Sequence, residues 1–175
     1  MVEGNPVTIR LVAMAATVGT LLVTAGCAGE APPPTPTVPP VESPKGLVGI
    51  DPCALLDDTA RTDLGLDSGV PGTDELGANC KWTGVHAESA QLTAFTSGKG
   101  LQELAEDRDS TTSRVRLLGY PALETFTARG EFCRYDVGVA ADQAIVATMR
   151  AGEPDSCTAL QELLTVVITQ LPASK

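Results

Sequence analysis

Residues 133–139 read Cys-Arg-Tyr-Asp-Val-Gly-Val, and their order decides the fold class. Cys133, Tyr135, Val137 and Val139 alternate with Arg134, Asp136 and Gly138. Successive side chains on a strand point to opposite faces, so this period of two is the pattern of a half-buried strand, its apolar set against a core. Ala140-Ala141-Asp142 forms a short loop, and residues 143–150 read as a second strand, which makes the pair a hairpin. Beyond it Pro154-Asp155-Ser156 opens a helix. Its Cys157, Leu160, Leu163, Leu164, Val167 and Leu171 fall on one stripe, and Pro172 ends it.

Towards the N-terminus the same kinds of signal recur. Residues 114–118 and 122–127 read as extended segments around the turn Gly119-Tyr120-Pro121, and residues 101–108 as a short helix with Leu101, Leu104 and Ala105 inward. Cys80-Lys81-Trp82 and residues 91–96 read as strands around a turn at 84–89, preceded by a Gly- and Asp-rich loop over 65–78. Asp51-Pro52 supplies an N-cap followed by proline at the first helical position. Cys53, Leu56, Ala60 and Leu64 then recur at helical spacing, with Cys53 on the buried face. The order helix, two strands, helix, four strands, helix contains hairpins and no sustained βαβ alternation. It indicates an α+β fold, an antiparallel β-sheet packed by helices.

The aromatic set is small, comprising Trp82, Tyr120, Tyr135, Phe95, Phe126 and Phe132, so the core must rest on Leu, Val, Ile and Ala. A formal charge of −10 argues against a nucleic-acid surface, which needs a basic footprint, and disfavours a polybasic membrane patch.

Residues 11–26, LVAMAATVGTLLVTAG, carry no charge. They are short for a bilayer-spanning helix, which needs about 20 residues, and suit the apolar core of a signal peptide. Arg10 is offset by Glu3, so the N-terminal amine supplies the positive charge ahead of that core. Thr24-Ala25-Gly26-Cys27 resembles the lipobox of bacterial lipoproteins, with Ala25, Gly26 and Cys27 matching and Thr24 standing where leucine is usual. The resemblance implies cleavage before Cys27 and a diacylglycerol on its sulfur. Two acyl chains anchor durably, at about 0.8 kcal/mol per buried methylene. Residues 31–44, APPPTPTVPPVESP, hold seven prolines in fourteen residues. Proline fixes φ and lacks an amide donor, so the stretch reads as a polyproline-type spacer reaching roughly 40 Å. The expected organisation is a signal peptide over 1–26, a lipidated N-terminus and tether over 27–46, and one extracytoplasmic domain over 47–175.

Cys53, Cys80, Cys133 and Cys157 remain. An even number in a small exported domain reads as two disulfides rather than a metal site, since no Cys-x-x-Cys pair is present. Three pairings are possible and the sequence does not choose among them. Cys53 with Cys80 and Cys133 with Cys157 is favoured because each bond would join neighbouring elements.

Asp-Pro-Cys-Ala-Leu-Leu at 51–56, Cys-Lys-Trp at 80–82, Gly-Tyr-Pro-Ala at 119–122 and the Cys157 helix ending in Leu171-Pro172 resemble the actinobacterial lipoproteins of domain-of-unknown-function family 3558. The likeness runs from Cys27 onward. It implies an actinobacterial envelope lipoprotein and brings no catalytic residues. A more distant resemblance to the two-disulfide extracellular sensor domains of mycobacterial receptor kinases supports the sequential pairing.

Chemistry-bearing motifs are sparse. His86 is the single histidine, and no Gly-x-Ser-x-Gly elbow accompanies it. An enzyme would use it with Glu88 or Ser89; the plainer reading is a solvated loop residue. The acidic groups Asp57-Asp58, Asp74-Glu75 and Glu103, Glu106, Asp107, Asp109 fit no calcium loop and read as solvated faces. Trp82 shares a strand face with Cys80, which predicts an indole packed on a disulfide. No cofactor or metal is expected. The expected function is a membrane-anchored, non-catalytic module, monomeric, binding an envelope protein or small ligand. The alternatives are an enzyme acting on cell-wall or lipid substrates, or a lipid carrier.

Overall fold

The computed structural model of the chain describes residues 38–85, 87–96, 98, 100–106, 111–127, 131–150 and 155–174. Its centre is a seven-stranded antiparallel sheet: β1 Val70–Thr73, β2 Ala78–Trp82, β3 Ser89–Phe95, β4 Thr112–Leu117, β5 Tyr120–Phe126, β6 Phe132–Gly138 and β7 Ala144–Arg150. The spatial order is β1-β2-β3-β7-β6-β5-β4. Two meanders, β1 to β3 and β4 to β7, therefore meet where β3 pairs with β7 across the middle. The expected α+β class, with helices on an antiparallel sheet, is what the chain adopts.

The helices follow from local chemistry. Pro52–Leu55 forms a 3-10 turn capped by Asp51, whose Oδ1 accepts from Cys53 N at 2.9 Å. The expected single helix then breaks at Leu56, and α1, Asp58–Asp63, starts afresh because Asp57 caps it through Ala60 N at 2.8 Å. Helix α2 is Leu101–Glu106, and α3 is Ser156–Gln170, capped by Asp155.

The alternation in β6 sorts the two faces. Cys133, Tyr135 and Val137 belong with α3, whose Leu160, Leu163, Leu164, Val167 and Ile168 are at most 2% exposed. Fully burying each such side chain stabilises the fold by about 1.5–3 kcal/mol. The opposite face meets α2, where Leu104 joins Phe95, Ala144 and Val146 in a second cluster. Helix α2 lies close to the sheet because Gly138 has no side chain: a Cβ there would sit 3.1 Å from Leu101 Cβ.

Three differences from the sequence reading have physical causes. β1 lies inside the expected loop over 65–78, and all four of its residues are exposed, so no buried face patterns it. The β4–β5 turn is Leu118-Gly119, one register earlier than expected, and Tyr120 and Pro121 pair within the hairpin. Residues 38–46, expected as the end of the tether, are bonded into the domain. Lys45 N donates to Val139 O, Gly46 N to Pro172 O, and Lys45 bridges Ala173.

The disulfides are Cys53–Cys80 and Cys133–Cys157, each with a Cα–Cα distance of 5.0 Å. The first ties the 3-10 turn to β2, and the second ties β6 to the start of α3, as the neighbouring-element argument expected.

Candidate functional site

Residues 38–44 run as a strap from α2, which Val38 meets, to the main core on the α3 face, where Val41 packs and Ser43 meets Tyr120. Proline at 39, 40 and 44 removes amide donors, so the strap is held at separated points rather than by a ladder. Val38 N donates to Gln102 Oε1 at 3.0 Å, Tyr120 OH donates to Ser43 O at 2.7 Å, and Ser174 N donates to Pro44 O at 2.9 Å. Between strap and sheet lies a cleft of about 560 Å³, walled by Val38, Pro39, Leu101, Pro121 and Ala140, with Gln102, Asp142 and Ser174 as polar residues. Past Leu101 and Pro121 it passes into a second hollow of about 340 Å³ beside Arg114 and Arg116. The combination is an apolar trough with an amide and a carboxylate along it and two guanidinium groups at one end. Such a lining has the chemistry to take a ligand with an apolar body and an anionic end.

A smaller hollow of about 190 Å³ lies between α1, β7 and α3, floored by Leu66, Met149 and Leu163, with Asp63 and Glu162 at its rim. From the same turns of α3, Gln161 reaches Tyr135, which donates to Glu124 Oε1 and accepts from Gln161 Nε2 at 2.5 Å. Burial first, and then the Glu124 carboxylate, push the Tyr135 phenol up to about 12, against the Gln161 donor that pulls it down. At neutral pH this phenol is a donor and not a base. Glu124 has an oxygen within 4.8 Å of the sulfurs of Cys133 and Cys157, but those sulfurs are bonded to each other and offer a metal nothing.

Of the residues singled out from sequence, Cys27, His86, Asp107 and Asp109 lie outside the described residues. Glu88 and Ser89, weighed as companions of His86, are exposed. Trp82 is 1% exposed and belongs with Cys80 in the main core. A Cβ on Gly69 would lie 2.5 Å from Cys80 Sγ and 2.6 Å from Trp82 Nε1, so indole and disulfide meet under that glycine. Asp57 and Asp58 serve α1, the first as its cap and the second through Arg61 at 2.5 Å. Asp74 does more than its solvated reading expected. Its carboxylate accepts from Leu76 N, Gly77 N, Asn79 Nδ2, Gln91 Nε2 and Thr93 Oγ1, closing the β1–β2 turn onto the sheet. The cleft went unforeseen, because its walls come from residues as far apart as Val38 and Gln102, 64 positions in sequence.

No match was found among curated proteins. A family described as a protein of unknown function, DUF3558, matches residues 22–170. Among solved structures, a crystal structure from Bacteroides thetaiotaomicron aligns with 18% identity and a TM-score of 0.40, covering 61% of this chain and 42% of that one.

Proposed function

The chain belongs to domain-of-unknown-function family 3558, and from that premise we propose that it is an actinobacterial envelope lipoprotein that binds a partner protein or small ligand without chemistry. The observation that carries the reading is Thr24-Ala25-Gly26-Cys27 at the end of an uncharged run, followed by prolines that lead into a disulfide-braced domain. Processing before Cys27 leaves that cysteine first, lipidated, on the extracytoplasmic face of the cell membrane. The domain then works as a monomer near a fixed membrane point, where tethering raises the effective concentration of any envelope partner.

Binding is the better reading of the domain because its cleft has the size of a ligand pocket, in the range of about 300–1,000 Å³, and is walled mainly by apolar side chains. Intact mass of the mature protein tests the anchor: a diacylglycerol on Cys27 is expected, and Cys27→Ala should leave an unprocessed precursor without it. Cross-linking in intact cells tests the binding role, with a discrete captured partner or a co-purifying ligand in native mass spectrometry expected. Turnover of a cell-wall or lipid ester substrate by the purified protein, abolished by His86→Ala without loss of fold, would overturn it.

A further inference from the structure

The β4–β5 turn is built from Leu118 at φ 51° and Gly119 at φ 86°. Positive φ at both positions is the arrangement of a type I′ hairpin, where asparagine and glycine are preferred and leucine is strained. Leu118 is the one non-glycine residue at positive φ among the described residues, and it is 50% exposed. Its side chain therefore stands in solvent at a position where a polar residue would be easier to hold. Arg114 and Arg116 project from β4 just behind it, both exposed. Arg116 spends one donor on Gly119 O at 2.6 Å and keeps the rest of its guanidinium available.

The chain enters the domain at this same corner. Val38 and Pro39 line the hollow that Arg114 and Arg116 border, and Tyr120, next to the turn, holds Ser43. Val38 follows Cys27 by eleven residues, which extend to at most about 40 Å. Val48, 77% exposed, lines a cavity with Gln143 and Ser174 at the same end of the sheet, which also bears Glu42 and Asp142. We propose that this corner is a second membrane contact: Leu118 enters the headgroup region of the membrane that Cys27 is anchored in, while Arg114 and Arg116 bind lipid phosphates. The inference rests on the lipid-anchor reading. Arginine suits phosphate through paired donors, and an apolar side chain flanked by cations is the composition of interfacial anchors. Two arginines alone bind a membrane weakly. The tether makes the contact intramolecular in effect, so weak attraction is enough to orient the domain.

The test uses the mature lipidated protein in phosphatidylglycerol-containing vesicles and in phosphatidylcholine vesicles. Flotation reads the anchor, and hydrogen exchange of residues 112–120 reads the corner. Exchange there should slow by about an order of magnitude on the anionic vesicles relative to phosphatidylcholine, and recover at high salt. Arg114→Gln with Arg116→Gln should abolish the slowing while flotation persists. Leu118→Asn should weaken it and yet raise the melting temperature by roughly 3 °C, because the turn is relieved. Equal exchange on both vesicles with flotation intact overturns the corner contact alone. Loss of flotation overturns it together with the anchor, and wild-type protection in both variants overturns the assignment to these residues.

Discussion

Tyr135 shows how one polar group is made permanent by its surroundings. Its hydroxyl lies between Glu124 and Gln161 at the margin of the α3 face, while the ring is buried at 1% exposure. A tyrosine in the unfolded chain ionises near pH 10, whereas Tyr135 in the fold holds its proton to about 12. Between those values the unfolded state binds fewer protons, so the contribution is fully present below pH 10 and is lost as pH rises through 12. Melting temperature should fall over that interval in wild type and less steeply in Tyr135→Phe; parallel curves would refute the assignment. Asp74 is the second decisive residue, since five donors converge on an exposed carboxylate. Asp74→Ala leaves the Asn79 side chain, 3% exposed, without that acceptor and should cost about 1–3 kcal/mol. A urea midpoint that drops at constant slope is the expected result; an unmoved midpoint would return Asp74 to the solvated class.

At the scale of elements, the strap over 38–44 is the part of the domain whose role depends most on distant partners. A chain beginning at Gly46 loses the bonds from Val38 to Gln102, Tyr120 to Ser43, Ser174 to Pro44 and Lys45 to Val139. It should be less stable than one beginning at Val38 by about 2–4 kcal/mol, read from paired denaturant curves, and should lose protection first in α2. The strap also marks what sequence can disclose. The β6–β7 hairpin and the α3 stripe were legible because each has one buried and one exposed face, and burial imprints a period on the residues. β1 has no buried residue and contains Pro71 and Gly72, so it carries neither period nor propensity, and only pairing with β2 makes it a strand. The strap reads as pure spacer for a like reason, since prolines report what a segment avoids and not what it will touch. The cleft is assembled from the strap, α2, β5 and the 140–142 loop, and no local pattern encodes that meeting.

For the whole molecule, the two disulfides brace different parts of one sheet without overlapping in sequence. Cys53–Cys80 closes 27 positions and Cys133–Cys157 closes 24. Closing loops of that length removes unfolded-state entropy equivalent to about 3.5 kcal/mol each. The bonds lie in separate meanders, one holding the 3-10 turn against β2 and the other holding the start of α3 against β6, so their effects should add within about 0.5 kcal/mol. A domain of this size has about 5–15 kcal/mol in total, so losing both bonds removes a large share of it. The comparison is wild type, Cys53→Ala with Cys80→Ala, Cys133→Ala with Cys157→Ala, and the quadruple variant, each unfolded in urea without reductant. Each double variant should shift by about 3.5 kcal/mol and the quadruple variant by about twice that, leaving it marginally folded at 37 °C. The Cys133 pair should also release α3, the principal cover of the core, so its unfolded surface should bind a hydrophobic dye that the Cys53 variant excludes. A quadruple variant as stable as wild type would show that the packed sheet and α3 suffice alone, and that the cysteines serve something other than stability.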